Sequence, residues 1–306
     1  MHDFQNLKIP AIAAPMFLTS GPDLVVECCR SGVLGTFPAL NQRTTEGFGD
    51  WLTQIEDRLA EVESPAPYGV NLIVHKSNKR VQPDLELCVK HKVPLVITSL
   101  GAVKEVVDAV HSYGGKIFHD VIKTRHAEKA VEAGVDGLVA VCAGAGGHGG
   151  TLSAFGFIPE IRSFFDGTIV LSGAISTGAQ IAAARAMGAD LAYLGTRFIA
   201  TEEAMVSQEN KDMVVSSTTT DIVYTPKISG VNANFMRGSM ISQGLDPDNL
   251  PDHGPMNMES EARAWKDVWS AGHGVAAIHD ILPAAELCDR LTREYRDACA
   301  MLGKDA

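Results

Sequence analysis

Gly137-Leu138-Val139-Ala140-Val141 runs directly into Cys142-Ala143-Gly144-Ala145-Gly146-Gly147-His148-Gly149-Gly150. The first five residues are a short apolar run, the pattern of a strand buried on both faces. The next nine hold five glycines, and apart from a cysteine their one ionisable side chain is His148. Glycine adopts positive φ and lets a backbone approach a ligand closely. The stretch therefore reads as a buried strand that delivers an imidazole to a loop at its C-terminal end.

Outward from this unit the same pattern recurs. Short apolar runs at 9–16, 32–37, 68–74, 94–99, 116–120, 168–171 and 191–194 read as further strands. Between them lie stretches of helical spacing at 22–31, 50–62, 83–91, 103–113, 125–133, 159–165 and 178–187. Trp51, Ile55 and Leu59, four residues apart, mark one apolar face. Gly114-Gly115, Gly134 and Gly188 sit where helices stop. The joins Ala133-Gly134-Val135-Asp136-Gly137 and Met187-Gly188-Ala189-Asp190-Leu191 resemble each other, a weak internal repeat. Eight strand–helix units predict a (β/α)8 TIM barrel, with a doubly wound open sheet as the alternative, since strand order is not written in one sequence.

After the eighth strand the pattern changes. A helix is expected over 202–213, then a polar stretch over 218–242 with Pro226, Gly230 and Gly238. A turn-rich stretch with Pro247, Pro251 and Pro255 follows, then helices over 259–269 and 282–302. A connection this long belongs over the mouth of the barrel. We expect one domain over 1–306, with 200–260 as a lid or small lobe.

The 306 residues carry a net charge of −11 and no basic stripe, which argues against a nucleic-acid partner. Cys28, Cys29, Cys88, Cys142, Cys288 and Cys299 form no CxxC pair and no zinc spacing, as in a reducing cytoplasm. No apolar run is long enough for a membrane span. A soluble cytoplasmic protein acting on a small molecule is expected, with a homo-oligomer left open.

In a barrel of this kind chemistry sits at the C-terminal strand ends. Here these are Ala14-Pro15-Met16, Phe37-Pro38-Ala39, Asn71, Thr98-Ser99, Asp120, the His148 loop, Ser172-Gly173-Ala174-Ile175-Ser176 and Gly195-Thr196-Arg197. The last two follow the seventh and eighth strands, where such barrels bind phosphate through backbone N–H groups. Gly144, Gly146 and Gly149 also fit the dinucleotide pattern GxGxxG, with Asp166 at ribose-contact spacing. That reading fits poorly, because the unit is sixth in the chain and an imidazole would crowd a pyrophosphate. An unperturbed imidazole titrates near pH ~6.5, so His148 suits acid–base work. His75, His119, His126, His253 and His273 are scattered without metal-ligand spacing. Asp120 either faces the cavity or partners the next helix, and His273, in Gly272-His273-Gly274, is placed to join the mouth.

Taken together, Ala14-Pro15-Met16, Tyr68-Gly69-Val70-Asn71, Ala145-Gly146-Gly147-His148-Gly149, Leu171-Ser172-Gly173-Ala174-Ile175, Leu194-Gly195-Thr196-Arg197-Phe198 and Trp269-Ser270-Ala271-Gly272-His273-Gly274 resemble, in order, the motifs of the nitronate monooxygenases, formerly called 2-nitropropane dioxygenases. The resemblance implies an FMN-dependent oxidoreductase that oxidises nitronates or nitroalkanes with O2 to a carbonyl compound and nitrite. It implies that Ala14, Pro15, Met16, Asn71, Gly146 and Gly147 lie along the flavin. Ser172, Gly173, Ala174, Gly195 and Thr196 would hold its phosphate, and His148 would be the catalytic base. The wider superfamily also includes NAD(P)H-dependent reductases of enoyl thioesters and quinones. Departures from the family pattern are Gly144 where glutamate is frequent, Val141 where glutamine is, and His273 where glutamine follows glycine. Some reductase relatives carry a lysine where Asp120 stands, and Lys123 follows nearby. These positions leave the substrate open.

Overall fold

The computed structural model describes residues 4, 6–101, 103–251 and 266–304. Its strands, in chain order, are β1 (Ala11–Ala13), β2 (Leu34–Pro38), β3 (Tyr68–Ile73), β4 (Leu95–Ser99), β5 (Lys116–Val121), β6 (Gly137–Val141), β7 (Gly147–His148), β8 (Thr168–Ser172), β9 (Leu191–Leu194), β10 (Ile222–Thr225) and β11 (Ala233–Met236). All but β7, β10 and β11 close into a barrel in the order β1-β2-β3-β4-β5-β6-β8-β9. Every pairing in it is parallel, including the closure of β1 on β9 through Ile12 opposite Tyr193. The eight predicted strands are the eight barrel strands, and the open-sheet alternative falls.

Helices α1 (Pro22–Arg30), α2 (Thr45–Ala60), α3 (Val81–Lys90), α4 (Lys104–His111), α5 (Thr124–Ala133), α6 (Ala154–Arg162) and α7 (Gly178–Ala186) run outside the barrel between its strands. Strand side chains alternate between the two faces of the wall. The outward set packs against apolar helix faces such as Leu24 and Val25 of α1 and Leu52 and Ile55 of α2. The inward set, including Ile12, Leu34, Leu95, Ile97, Phe118, Val139, Val170 and Leu191, fills the barrel. Cys28, Cys29, Cys88, Cys142 and Cys288 are buried free thiols, small hydrophobes in the packing, and Cys299 is exposed.

The inward columns change character towards their C-terminal ends. Two residues beyond Ile97 comes Ser99, beyond Phe118 comes Asp120, beyond Val170 comes Ser172, and beyond Leu191 comes Tyr193. A period of two keeps each pair on one face. The apolar filling thus ends in a polar layer facing the mouth.

The later chain differs from expectation. The helix predicted at 202–213 begins only at Gln208, as α9 (Gln208–Ser216), because Ser207 caps it by accepting from Asn210 N. A short α8 (Thr196–Ile199) precedes it. The predicted helix at 159–165 is α6, which starts earlier at Ala154 and carries Pro159 inside. The polar stretch at 218–242 holds β10, β11 and α10 (Arg237–Ser242). β10 pairs with β11, and β11 pairs antiparallel with β7, inside the glycine loop itself. The last helix is α11 (Ala284–Gly303), packed on α7 and α1. His253 and most of the helix expected at 259–269, with Trp265, lie outside the described residues. No helix among the described residues is long and apolar enough to cross a membrane.

Candidate active site

The barrel mouth opens into a cavity of about 1340 Å³. Its lining includes Ala14, Pro15, Met16, Asn71, Gly146, Gly147, His148, Ser172, Gly173, Ala174, Gly195 and Thr196, all twelve residues singled out from the sequence. Asp120 also lines it. Lys123 instead is exposed as the residue capping α5. His273 stands behind the glycine loop, where its N–H donates to Gly144 O at 2.9 Å.

The first wall follows β1. Met16 N donates to Ser20 Oγ at 3.0 Å, and Asn41 Nδ2 donates to Met16 O at 3.0 Å and Ser20 O at 2.8 Å. One carboxamide from the β2 end thus pins the turn, a role the sequence did not announce.

The β3–β5 wall is a chain of side chains. Asn71 Nδ2 donates to Ser99 Oγ at 2.7 Å, and Ser99 Oγ donates to Asp120 Oδ2 at 2.5 Å. The hydroxyl has one proton, so the chain runs one way and ends on the carboxyl group. Asp120 Oδ1 is shielded from solvent and has no partner among the described residues, and the same holds for Tyr193 Oη. Burial raises the Asp120 pKa to about 6, against the Ser99 hydrogen bond and the charge of His148, which both lower it. Burial, with Asp120 nearby, holds the Tyr193 phenol protonated. On the other face of β5, His119 Nδ1 lies 2.8 Å from Thr98 Oγ1, and burial lowers its pKa to about 4.

The third wall is the glycine loop, and its glycines answer first to protein packing. A Cβ on Gly146 would stand 2.8 Å from Gly272 N and 3.0 Å from Ala271 C, both backbone atoms. On Gly150 it would meet Val141 O at 2.7 Å. Gly144 and Gly147 have φ of +84° and +68°. The loop is held open as β7, with His148 opposite Ala233 and Gly147 opposite Asn234 of β11. Asn234 Nδ2 donates to Ala145 O at 2.6 Å, and Tyr224 Oη donates to Gly149 O at 3.0 Å. His148 is half-buried on this short strand.

The fourth wall joins the ends of β8 and β9. Gly173 and Ala174 both have positive φ, +135° and +55°. Thr196 Oγ1 accepts from Gly272 N at 2.8 Å, which leaves its own proton free to donate. The start of α7 is already satisfied by protein. Gln180 Oε1 accepts from Ser176 N at 2.7 Å and Thr177 N at 3.1 Å, and Glu294 Oε2 accepts from Gly178 N at 2.7 Å. An anion in this wall is left with the backbone of 173–174 and 195–196 and the hydroxyls of Ser172 and Thr196. Arg197 next door is committed to Asp280, at 2.9 Å.

Residues of the later chain, among them Met205, Asn210, Asn232 and Trp269, complete the cavity. A parallel (β/α)8 barrel whose polar layer, glycine loop and strand-end turns all open on one cavity at its C-terminal mouth has the architecture of a barrel enzyme. Residues 78–294 match the family model described as nitronate monooxygenase, and the chain belongs to that family of flavin-dependent oxidoreductases. Similar sequences include a protein of Mycobacterium tuberculosis (strain ATCC 25618 / H37Rv) named as a monooxygenase, 32% identical over 61% of this chain. Another is the (3aS,4S,5R,7aS)-5-hydroxy-7a-methyl-1-oxo-octahydro-1H-indene-4-carboxyl-CoA dehydrogenase of Rhodococcus jostii (strain RHA1), 23% identical over 78%. The matches span 50% and 65% of those relatives' own lengths. The structure of a nitroalkane oxidase from Streptomyces ansochromogenes shares the fold, with a TM-score of 0.82 at 22% identity, over 97% of this chain and 98% of that one.

Proposed function

We propose that the cavity binds FMN and that the enzyme oxidises nitronates or nitroalkanes with O2 to a carbonyl compound and nitrite, with His148 as the catalytic base. The observation that carries this reading is the convergence of all twelve sequence-selected residues on one cavity. In this reading Ser172, Gly173, Ala174, Gly195 and Thr196 hold the phosphate, and Ala14, Pro15, Met16, Asn71, Gly146 and Gly147 flank the ring system. Two features suit such a ligand: the unpartnered polar atoms of Asp120 and Tyr193, and the positive-φ turn at 173–174. When bound, the flavin supplies the electron acceptor for substrate oxidation. His148 removes the α-proton of a neutral nitroalkane. In this reading residues 200–260, of which 252–260 lie outside the described residues, serve as the lid of a single domain spanning 1–306.

Oxygen uptake and nitrite release with propyl-2-nitronate and 2-nitropropane test the reading, and no turnover by reconstituted holoenzyme overturns it. Loss of a general base costs about 10²–10⁴ in rate. His148→Ala is therefore expected to retain flavin and lose about 100-fold or more in kcat/KM with 2-nitropropane.

A second reading is an NAD(P)H-dependent reductase of an enoyl thioester or quinone. It is favoured by a cavity larger than the roughly 300–1,000 Å³ of common ligand sites, and by exposed Arg43 and Lys129 on its rim. The CoA-ester substrate in the name of the Rhodococcus relative points the same way. Anaerobic mixing with NADH or NADPH separates the two: rapid bleaching of the flavin favours the reductase, and none favours the oxidase.

A further inference from the structure

A carboxyl group inside a barrel is costly unless something compensates for it. Asp120 stands in the inward column of β5, two residues beyond the fully buried Phe118. One oxygen is fixed by Ser99, itself held by Asn71, and the other is shielded and unpartnered. No lysine or arginine is bonded to it among the described residues. The positive charge that reaches it is that of His148, which lines the same cavity and whose Nε2 is shielded from solvent like Asp120 Oδ1.

The other groups around Asp120 leave this pairing undisturbed. β4 presents Ser99, and β6 presents the apolar Val139 and Val141. Tyr193 from β9 stays a neutral phenol. His119 is turned to Thr98 on the opposite face and stays uncharged through the neutral range. The site therefore pairs one group that becomes a carboxylate above about pH 6 with one imidazole.

We propose that Asp120 is the counter-charge of His148 and that it tunes the enzyme towards neutral substrates. This rests on the nitroalkane reading above. When His148 takes the α-proton, the C–H bond breaks, an N–H bond forms and the electron pair stays on the substrate as a nitronate. The imidazolium so created lies in the field of a carboxylate whose free oxygen is shielded from solvent, where Coulomb attraction is stronger than in bulk water. A nitronate that arrives already ionised gains nothing from this pairing and is repelled by the same carboxylate. Asp120 acts through His148 and is a positioning residue. Ser99 and Asn71 hold it in place and favour its ionised form.

The decisive variant is Asp120→Asn, which keeps an oxygen for Ser99 and removes the charge. With 2-nitropropane, kcat/KM is expected to fall at least 10-fold. With propyl-2-nitronate it is expected to hold or rise, through a lower KM. Equal losses on both substrates, or no loss on the neutral one, overturn the proposal. Ser99→Ala provides a second variant. It removes a hydrogen bond to the ionised carboxyl, so the acid limb of the neutral-substrate profile should move to higher pH, and an unmoved limb counts against the proposal.

A readout independent of turnover is the infrared carboxyl band of Asp120, assigned by its loss in Asp120→Asn. Its titration midpoint should rise in His148→Gln, since the charge of His148 holds it down. If the wild-type protein oxidises neither substrate, the nitroalkane reading fails, and the infrared titration alone decides the pairing. An unchanged midpoint in His148→Gln then overturns it.

Discussion

The two sides of the cavity are built by different means. On the β3–β5 side the working groups are side chains, Asn71, Ser99 and Asp120, bonded in one line. On the β8–β9 side they are backbone turns, with Gly173 and Ala174 in left-handed conformations and only the hydroxyls of Ser172 and Thr196 added. The first side carries a carboxyl group that changes charge near neutrality; on the second, burial keeps the Tyr193 phenol protonated and Arg197 is spent on Asp280. The two sides should respond differently to pH and to added volume. The first side changes charge as Asp120 titrates, while the other offers fixed dipoles that do not change through the neutral range.

The largest expected effect is a pH-dependent gain in stability from Asp120→Asn. The carboxyl pKa, raised to about 6 in the fold, means that the folded state holds its proton more tightly than the unfolded chain. Stability from this group is full below the unfolded value, near pH 4, and is lost as pH rises through 6. Asp120→Asn should therefore stabilise the protein by about 3 kcal/mol at most at pH 7, and by little at pH 4. Urea unfolding at the two pH values checks this. His119 has the opposite sign: its folded pKa is lowered to about 4, so its contribution is full above about 6.5 and lost as pH falls towards 4. These neighbours on β5 offset each other, and removing Asp120 should uncover a steeper acid limb.

The backbone side is to be broken with volume rather than charge. Gly146→Ala places a methyl group 2.8 Å from Gly272 N, a backbone atom with little freedom to yield. Overpacking of this kind costs about 1–3 kcal/mol, and the cost should be the same at pH 4 and pH 7. Urea midpoints at both pH values measure it. A cost that changes with pH would erase the distinction between the two sides.

The smallest effect is expected at the join to the second sheet. Asn234→Ala removes the donor to Ala145 O and leaves a buried carbonyl unsatisfied, a loss of about 1–2 kcal/mol. Because this bond steadies β7, kcat with 2-nitropropane should fall more than the melting temperature suggests. An unchanged kcat would show that the strand pairing alone positions His148.

The contrast also decides what the sequence could reveal. Backbone turns are written locally: Ser172-Gly173-Ala174 and Gly195-Thr196 stand at the ends of apolar runs, so their placement followed from the strand count. The side-chain wall is written across strands. Asn71, Ser99 and Asp120 were each visible as a strand end, but their bonding needed the register of β3 on β4 and β4 on β5. Tyr193 went unremarked inside an apolar run, although its place two residues beyond Leu191 put a phenol on the inner face. Asn41 and Asn234 act on turns 25 and 89 residues away, a distance no local pattern encodes. The second sheet was missed for a simpler reason: β7 is two residues long and too short to show a period.

The pairing of β7 with β11 has a consequence for how the molecule comes into being. Barrel strands other than the closing pair join neighbours in sequence, contacts that form with little loop-closure entropy. The loop that carries His148 is instead tied down by Ala233 and Asn234, and its neighbour Thr196 by Gly272, 76 residues further on. Contacts of such separation are slow to form. The barrel wall can close before the His148 loop is fastened, so the cavity is complete only after the barrel itself. The His148 loop takes its place only when the segment after β9 has been made and has folded back onto it.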